Sequence, residues 1–224
     1  MKLAIIAATG GVGQQLLQQA LSAGHDVTAV VRNPAKLPAA LGEARIVTAD
    51  LASPEPAALE AAIAGTDAVV SGLGPASNSS AGIATRGTRA IVSAMHATGV
   101  KRLVVISAAP VGTVPSPGRP TPPNHDPGDG FFMRQFGARF ARAAFGKVYA
   151  DLAAMEDLLR DSDLDWTVIR PPKLTNKPLT GHYRTATGQN VRGGFSVPRA
   201  DAAHLMLAVL GQPDTIGQVI GIAS

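Results

Sequence analysis

Short runs of aliphatic and β-branched residues alternate along the first hundred positions with longer stretches rich in Ala and Leu. That alternation predicts successive strand–helix units around a parallel sheet. Lys2–Ala7 reads as a buried strand and Asp26–Val31 as a second. Between them, Gln14–Ala23 sets Leu17, Ala20 and Leu21 on one helical face, with Gly24 placed to close the helix. Arg45–Thr48 reads as the third strand, Pro56–Ala64 as a short helix with Pro in its first turn, and Asp67–Ser71 as the fourth strand. Ile83–Ala97 is a longer helix with Gly99 behind it, and Lys101–Ser107 the fifth strand.

Residues 110–130 break this rhythm. Seven prolines and four glycines exclude both helix and central strand there. A hinge between two domains would demand a second core, and the chain beyond is too thin in strands to build one. The stretch is expected to be a long surface loop or lid beside a ligand site. After it, Phe131–Phe145 and Lys147–Arg160 read as helix interrupted at Gly146, and Asp165–Arg170 as a strand stopped by Pro171-Pro172. Ala200–Leu210 is a late helix and Gln218–Ile222 a last strand. The expected fold is a single α/β domain over residues 1–224, a doubly wound parallel sheet with helices on both faces.

Composition narrows the classes. In 224 residues, 46% are apolar and 16% charged, which excludes a disordered or coiled-coil chain. The absence of Cys removes disulfide scaffolds, thiolate metal sites and thiol nucleophiles, and fits a cytoplasmic location. Leu3–Ala8 is too short for a secretory signal and runs into glycines, and no stretch approaches the ~18 apolar residues of a membrane helix. No membrane partner is expected. A net charge of +4 leaves nucleic acid open, so its distribution matters. No acid falls between Asp165 and Asp201, whereas Arg170, Lys173, Lys177, Arg184, Arg192 and Arg199 do. Arg134, Arg139, Arg142 and Lys147 fill a second acid-free segment. Nucleic-acid binders add stacking aromatics to such patches, and only Trp166, Tyr149, Tyr183 and six Phe are present. A pocket for a small anion explains the pattern better than nucleic acid, with a solvated basic surface as the alternative.

The chemistry concentrates where strands end. Ala7-Ala8-Thr9-Gly10-Gly11-Val12-Gly13 joins the first strand to the first helix. Glycines there let backbone approach a pyrophosphate, and a helix N-terminus offers unpaired N–H groups and the positive end of a dipole. NAD binders usually place Asp or Glu at the end of the second strand. This chain has Arg32 and Asn33, with Lys36 beyond, which suits the 2′-phosphate of NADP. Asp50-Leu51, Gly72-Leu73-Gly74 and Ser107 end the next three strands along the same edge. Asp50 suits either the adenine amino group or a turn cap; the glycines suit close cofactor approach or a plain turn.

From the Thr9-Gly10 loop through Arg32, Asp50-Leu51 and Val105-Ile106-Ser107, the chain resembles an atypical short-chain dehydrogenase/reductase with a Rossmann-like NAD(P)H-binding domain. Leu164–Pro172 followed by Pro178–Tyr183 is similar to the biliverdin IXβ reductase/flavin reductase group. Ala7 stands where the family loop commonly begins with Gly, and Lys173 where mammalian-type members carry His. The resemblance implies that Ser107 borders substrate or nicotinamide. The rigid Pro171-Pro172 turn is expected to expose backbone groups to the carboxamide, and Lys173, in the acid-free stretch beside that turn, to attract an anionic acceptor such as FMN. Each has a structural alternative: a satisfied strand end, a strand terminator, a solvated cation. Tyr149 is followed four residues later by Ala153, so the Tyr–Lys pair of ordinary short-chain dehydrogenases is missing. His25, His96, His125, His182 and His204 show no metal-ligand spacing, although His182 is a candidate pocket residue. The reading is an NADPH-dependent reductase of a flavin or similar conjugated acceptor (biliverdin, quinone), a monomer or small homo-oligomer. The rival is a non-catalytic NADP sensor resembling NmrA-like regulators.

Overall fold

Strand β1 (Lys2–Ile6) divides its side chains between two cores: Leu3 and Ile5 enter one, Ala4 and Ile6 the other. A strand buried on both faces belongs in the middle of a sheet that helices cover on each side. The chain continues through α1 (Gly11–Ser22), β2 (Asp26–Val31), β3 (Arg45–Thr48), α2 (Pro56–Ile63), β4 (Ala68–Ser71), α3 (Ile83–Thr98) and β5 (Arg102–Ile106). Then follow α4 (Ala138–Arg160), β6 (Asp165–Arg170), β7 (Lys173–Thr175), β8 (Arg184–Thr187), β9 (Ser196–Pro198), α5 (Arg199–Ala208) and β10 (Gln218–Ala223). The computed structural model describes residues 1–38, 44–130 and 138–224. The first part of the helix expected from Phe131 lies outside the described residues. Among those described, no helix is long and apolar enough to cross a membrane.

Eight strands form one sheet in the order β3-β2-β1-β4-β5-β6-β10-β8. The order reverses between β1 and β4, which opens a crevice at the carboxyl edge between them. Helices α1 and α5 cover one face, and α2, α3 and α4 the other. The expected all-parallel sheet is mixed at its end, where β8 runs antiparallel to β10. A separate two-stranded ribbon pairs β7 with β9. These three late strands have three or four residues each, too few to display a period in sequence. The break expected at Gly146 falls at Phe145, whose φ −131° and ψ 25° kink α4.

The β1–α1 junction is tight. A Cβ on Gly13 would stand 2.1 Å from the Ala7 carbonyl oxygen, so only glycine lets α1 seat this close to the end of β1. Gly72 packs from the other side, its ideal Cβ 3.0 Å from the Gly13 nitrogen. Ala7 turns the chain at φ 58°, the left-handed region that disfavours side chains, and its carbonyl accepts from Gly10 N at 2.9 Å.

One carboxylate ties the other end of the sheet together. Glu156, 1% exposed on α4, accepts from Arg170 Nε at 2.8 Å, from Arg160 Nη2 at 2.8 Å and from Ser107 Oγ at 2.7 Å. Arg170 ends β6 and Ser107 follows β5. Asp157, next along α4, accepts from Gly118 N at 2.8 Å and fastens the Pro-rich segment to this network. Buried Asp126 fastens its far end, accepting from Gly128 N at 2.9 Å and from Asn190 N at 2.8 Å. A surface loop of this length thus owes its position to two acids that bind backbone N–H groups.

Four substitutions check this arrangement. Gly13→Ala is expected to destabilise the protein by about 1–3 kcal/mol through the clash with Ala7, whereas Ala7→Gly gains about 0.5–1 kcal/mol, strain relief outweighing unfolded-state entropy. Glu156→Ala leaves Arg170 buried and uncompensated and is expected to cost about 3–5 kcal/mol. Arg160→Ala, at a partly exposed pair, costs about 1 kcal/mol or less. Urea unfolding of the four variants reads all of these.

Candidate functional site

Two cavities open along the carboxyl edge of the sheet. The larger, about 340 Å³, lies beyond β1–β4 and is lined by Ala7, Thr9, Gly10, Arg32, Asn33, Lys36, Asp50, Leu51, Leu73 and Gly74, among others. The strand ends singled out from sequence therefore meet in one place. Gly10 is the N-cap of α1 and makes no side-chain cap, and the first turn of the helix carries no acid. Its leading N–H groups face outward as donors for an anion. Val12 contributes backbone only, since its side chain is buried in the core. Asn33 accepts from Ala35 N at 3.0 Å and caps a short 3-10 turn, Pro34–Lys36, which brings Lys36 beside Arg32. Both cations are exposed, and no carboxylate ends β2.

The glycines prove to have different tasks. Gly13 and Gly72 serve helix–strand packing, whereas Gly74 faces open space at the cavity wall. Asp50 accepts from Ala52 N at 3.0 Å through Oδ1, a turn cap that keeps its carboxylate at the rim. Leu51 and Leu73 are buried in the core while forming the cavity's apolar wall. Ser80 and Ile83 also line this cavity, and no sequence pattern had marked them.

A smaller cavity of about 130 Å³ lies past β5, β6 and β10, lined by Ala109, Asp129, Arg170, Pro172, Asn190, Gly194, Phe195 and Ile222 among others. The 188–195 segment reaches it by folding along β10, where Gly221 lets the Gln189 backbone approach: a Cβ there would meet Gln189 O at 2.3 Å. Phe195 is 62% exposed at its wall, a bare aromatic face beside the cleft. Ser107 is buried, and its hydroxyl donates to Glu156, which leaves only lone pairs for any further partner. The Pro171 carbonyl, expected to face the cleft, accepts from Ala109 N at 2.8 Å instead and joins the β5 and β6 ends.

The acid-free stretch does not converge on this cavity. Lys173 is exposed on β7 and lines neither cavity. Arg170 lines the smaller one, but Glu156 already takes its charge. Arg184 donates to the Arg192 carbonyl at 2.9 Å and to the Ser224 carbonyl at 3.2 Å. His182 lies in an exposed turn, its N–H donating to Thr180 Oγ1. Tyr149 packs edge-on against Phe145, and burial pushes its phenol above the ordinary range. It has no cation four residues on, and its hydroxyl stays protonated.

A bare helix N-terminus, an open Gly74 and a pair of cations beside an apolar wall fit a dinucleotide laid across the edge. Solved structures share the architecture over the whole chain. A short-chain dehydrogenase/reductase from Veillonella parvula, solved in complex with NADP, superposes with a TM-score of 0.79 at 16% identity, covering 100% of this chain and 94% of that one. An anaerobillin reductase from Escherichia coli O157:H7 gives 0.75 at 22% identity, covering 100% and 97%. A Rossmann-fold NAD(P)-binding family protein from Shigella flexneri gives 0.69 at 22%, covering 100% and 93%. Such identities establish the fold. The match of residues 7–213 to the NAD(P)H-binding family model establishes the family, and the chain belongs to it.

Proposed function

We propose that the protein is an NADPH-dependent reductase that delivers hydride to a flavin or similar conjugated acceptor. The observation that carries this reading is that, among the described residues, no hydroxyl or phenol at the acceptor end is set up as an acid, and the lining carboxylate there, Asp129, is taken up in accepting from Asn190 Nδ2 and Asp126 N. The Ser107 hydroxyl donates its hydrogen bond to Glu156, and Tyr149 has no cationic partner to lower its pKa. Reduction of a ketone or aldehyde to an alcohol needs such an acid to protonate the oxygen. A conjugated ring does not, because it spreads the charge it gains.

Arg32 and Lys36 would hold the 2′-phosphate, Gly10 and the first turn of α1 the diphosphate, and the walls formed by Leu51 and Leu73 the adenosine. When bound, NADPH supplies the hydride from its nicotinamide. Ser107, its hydroxyl fixed by Glu156, would accept from a ligand N–H beside it. Phe195 offers a face on which a planar ring can lie, and the apolar neighbours of the smaller cavity exclude water. The NADP complex of the Veillonella relative and the reductase from Escherichia coli support the cofactor and the reaction class.

Cofactor selection is read by calorimetry. NADPH is expected to bind more tightly than NADH by about 1.5–3 kcal/mol, and Arg32→Ala to erase most of that difference while leaving NADH nearly unchanged. Equal affinities in the wild type would refute the assignment. Catalysis is read by anaerobic NADPH oxidation against flavins, quinones and biliverdin. Turnover with at least one ring acceptor is expected, and Tyr149→Phe should keep most of it. No turnover across the panel would favour the NADP sensor, and a loss above about a hundredfold in Tyr149→Phe, with NADPH binding intact, would restore a catalytic phenol.

A further inference from the structure

Arg199 opens α5, directly after Pro198 ends β9, and its side chain crosses to α1. A Cβ built on Gly11 would stand 2.8 Å from Arg199 Nε and 2.9 Å from its Cδ. Gly11 is bare so that this side chain can lie against the first turn of the helix. Arg199 Nη1 donates to Asn176 Oδ1 at 2.7 Å, which aims the guanidinium from the end of β7. Among the described residues no carboxylate pairs with it, and Nε and Nη2 keep their donors.

This placement is electrostatically odd. The N-terminus of α1 is the positive end of a dipole, where a cation is disfavoured. Arg102, Arg119, Arg160 and Arg170 are all discharged onto carbonyls or carboxylates. Among the described residues Arg199 has no carboxylate: Nη1 donates to Asn176 Oδ1 at 2.7 Å and to the Leu174 carbonyl at 3.5 Å, while Nε lies against the first turn of α1, a second positive feature. An anion between these two donors of like sign would satisfy both.

We propose that Arg199 is a diphosphate clamp: it grips the cofactor's bridging phosphates from α5 while the first turn of α1 holds them from below. This rests on the NADPH reading of the cleft. It gives Gly11 a task distinct from that of Gly13, and it makes the cofactor the tie between the α1 edge and the β7–β9 ribbon. The clamp acts on the diphosphate, whereas Arg32 acts on the 2′-phosphate.

The test separates those two groups by using ligands that carry one or both. Wild type, Arg199→Met and Arg32→Ala are titrated calorimetrically with NADPH and with adenosine 2′-monophosphate, which lacks the diphosphate. Arg199→Met keeps the apolar stem and is expected to weaken NADPH about tenfold or more while leaving the monophosphate unchanged. Arg32→Ala should weaken both. Arg199→Lys, which keeps charge without the planar fork, should fall between wild type and Arg199→Met. Gly11→Ala, which pushes the arginine aside, should weaken NADPH in the wild-type background and have far less effect in Arg199→Met. Melting curves confirm that each variant is folded. NADPH affinity unchanged in Arg199→Met, or equal losses for both ligands, would overturn the clamp while leaving the NADPH reading intact. A wild type that binds neither ligand would overturn both.

Discussion

A single buried carboxylate, Glu156, fixes the geometry of the acceptor end. It lies on α4, yet it binds the residue that ends β6 and the residue that follows β5. Burying a carboxylate is costly unless its lone pairs are filled, and here four donors on three side chains fill them. The arrangement can relax only by moving a helix away from two strands at once. It also sets a direction: the buried Ser107 hydroxyl points its proton at Glu156 and keeps only lone pairs for any other partner.

The two halves of the edge then differ in character. Beyond β1–β4 the surface is cationic at its rim and apolar in its wall, which suits a phosphorylated adenosine. Beyond β5, β6 and β10 it is mostly apolar, with Arg170 paired to Glu156, Asp129 bonded to Asn190, and an exposed phenylalanine beside them. The strand order reverses between β1 and β4, inside the first half, and the N-terminus of α1 stands at that reversal. Under the proposed reading, the cationic rim would fix the cofactor's phosphates while the more apolar half takes the ring of the acceptor.

Much of this is legible in the chain. The period of the strands and helices locates β1 to β6 within a residue or two, since all but the exposed edge strand β3 are largely buried and read as continuous apolar runs. The glycine loop, Arg32, Asp50 and Gly74 lie together as their positions at strand ends require. What sequence does not reveal are partners far apart in it. The N-terminus of α3 is capped by Asp151 of α4, whose carboxylate accepts from Ala84 N and Thr85 N, both at 3.0 Å, although α3 itself begins without an acid. Glu156 and Arg199 are equally silent, one helical acid and one cation among many. The acid-free stretch misleads for the same reason: Lys173, Arg184 and Arg199 are near in sequence but leave their strands and turns in different directions. The Pro-rich segment is irregular, as its composition demands, and its anchors, Asp126, Asp129 and Asp157, show where it is held.

The claim on which the rest turns is hydride transfer at an edge that supplies no proton. It is tested most directly by following a single anaerobic turnover with NADPH and with NADPH deuterated at the nicotinamide C4, each in H2O and in D2O. Deuterium on the nicotinamide is expected to slow the turnover, and D2O to leave it unchanged. A turnover slowed by D2O, and freed of that dependence in Tyr149→Phe, would mean that a protein acid acts in the rate-limiting step and would contradict the claim.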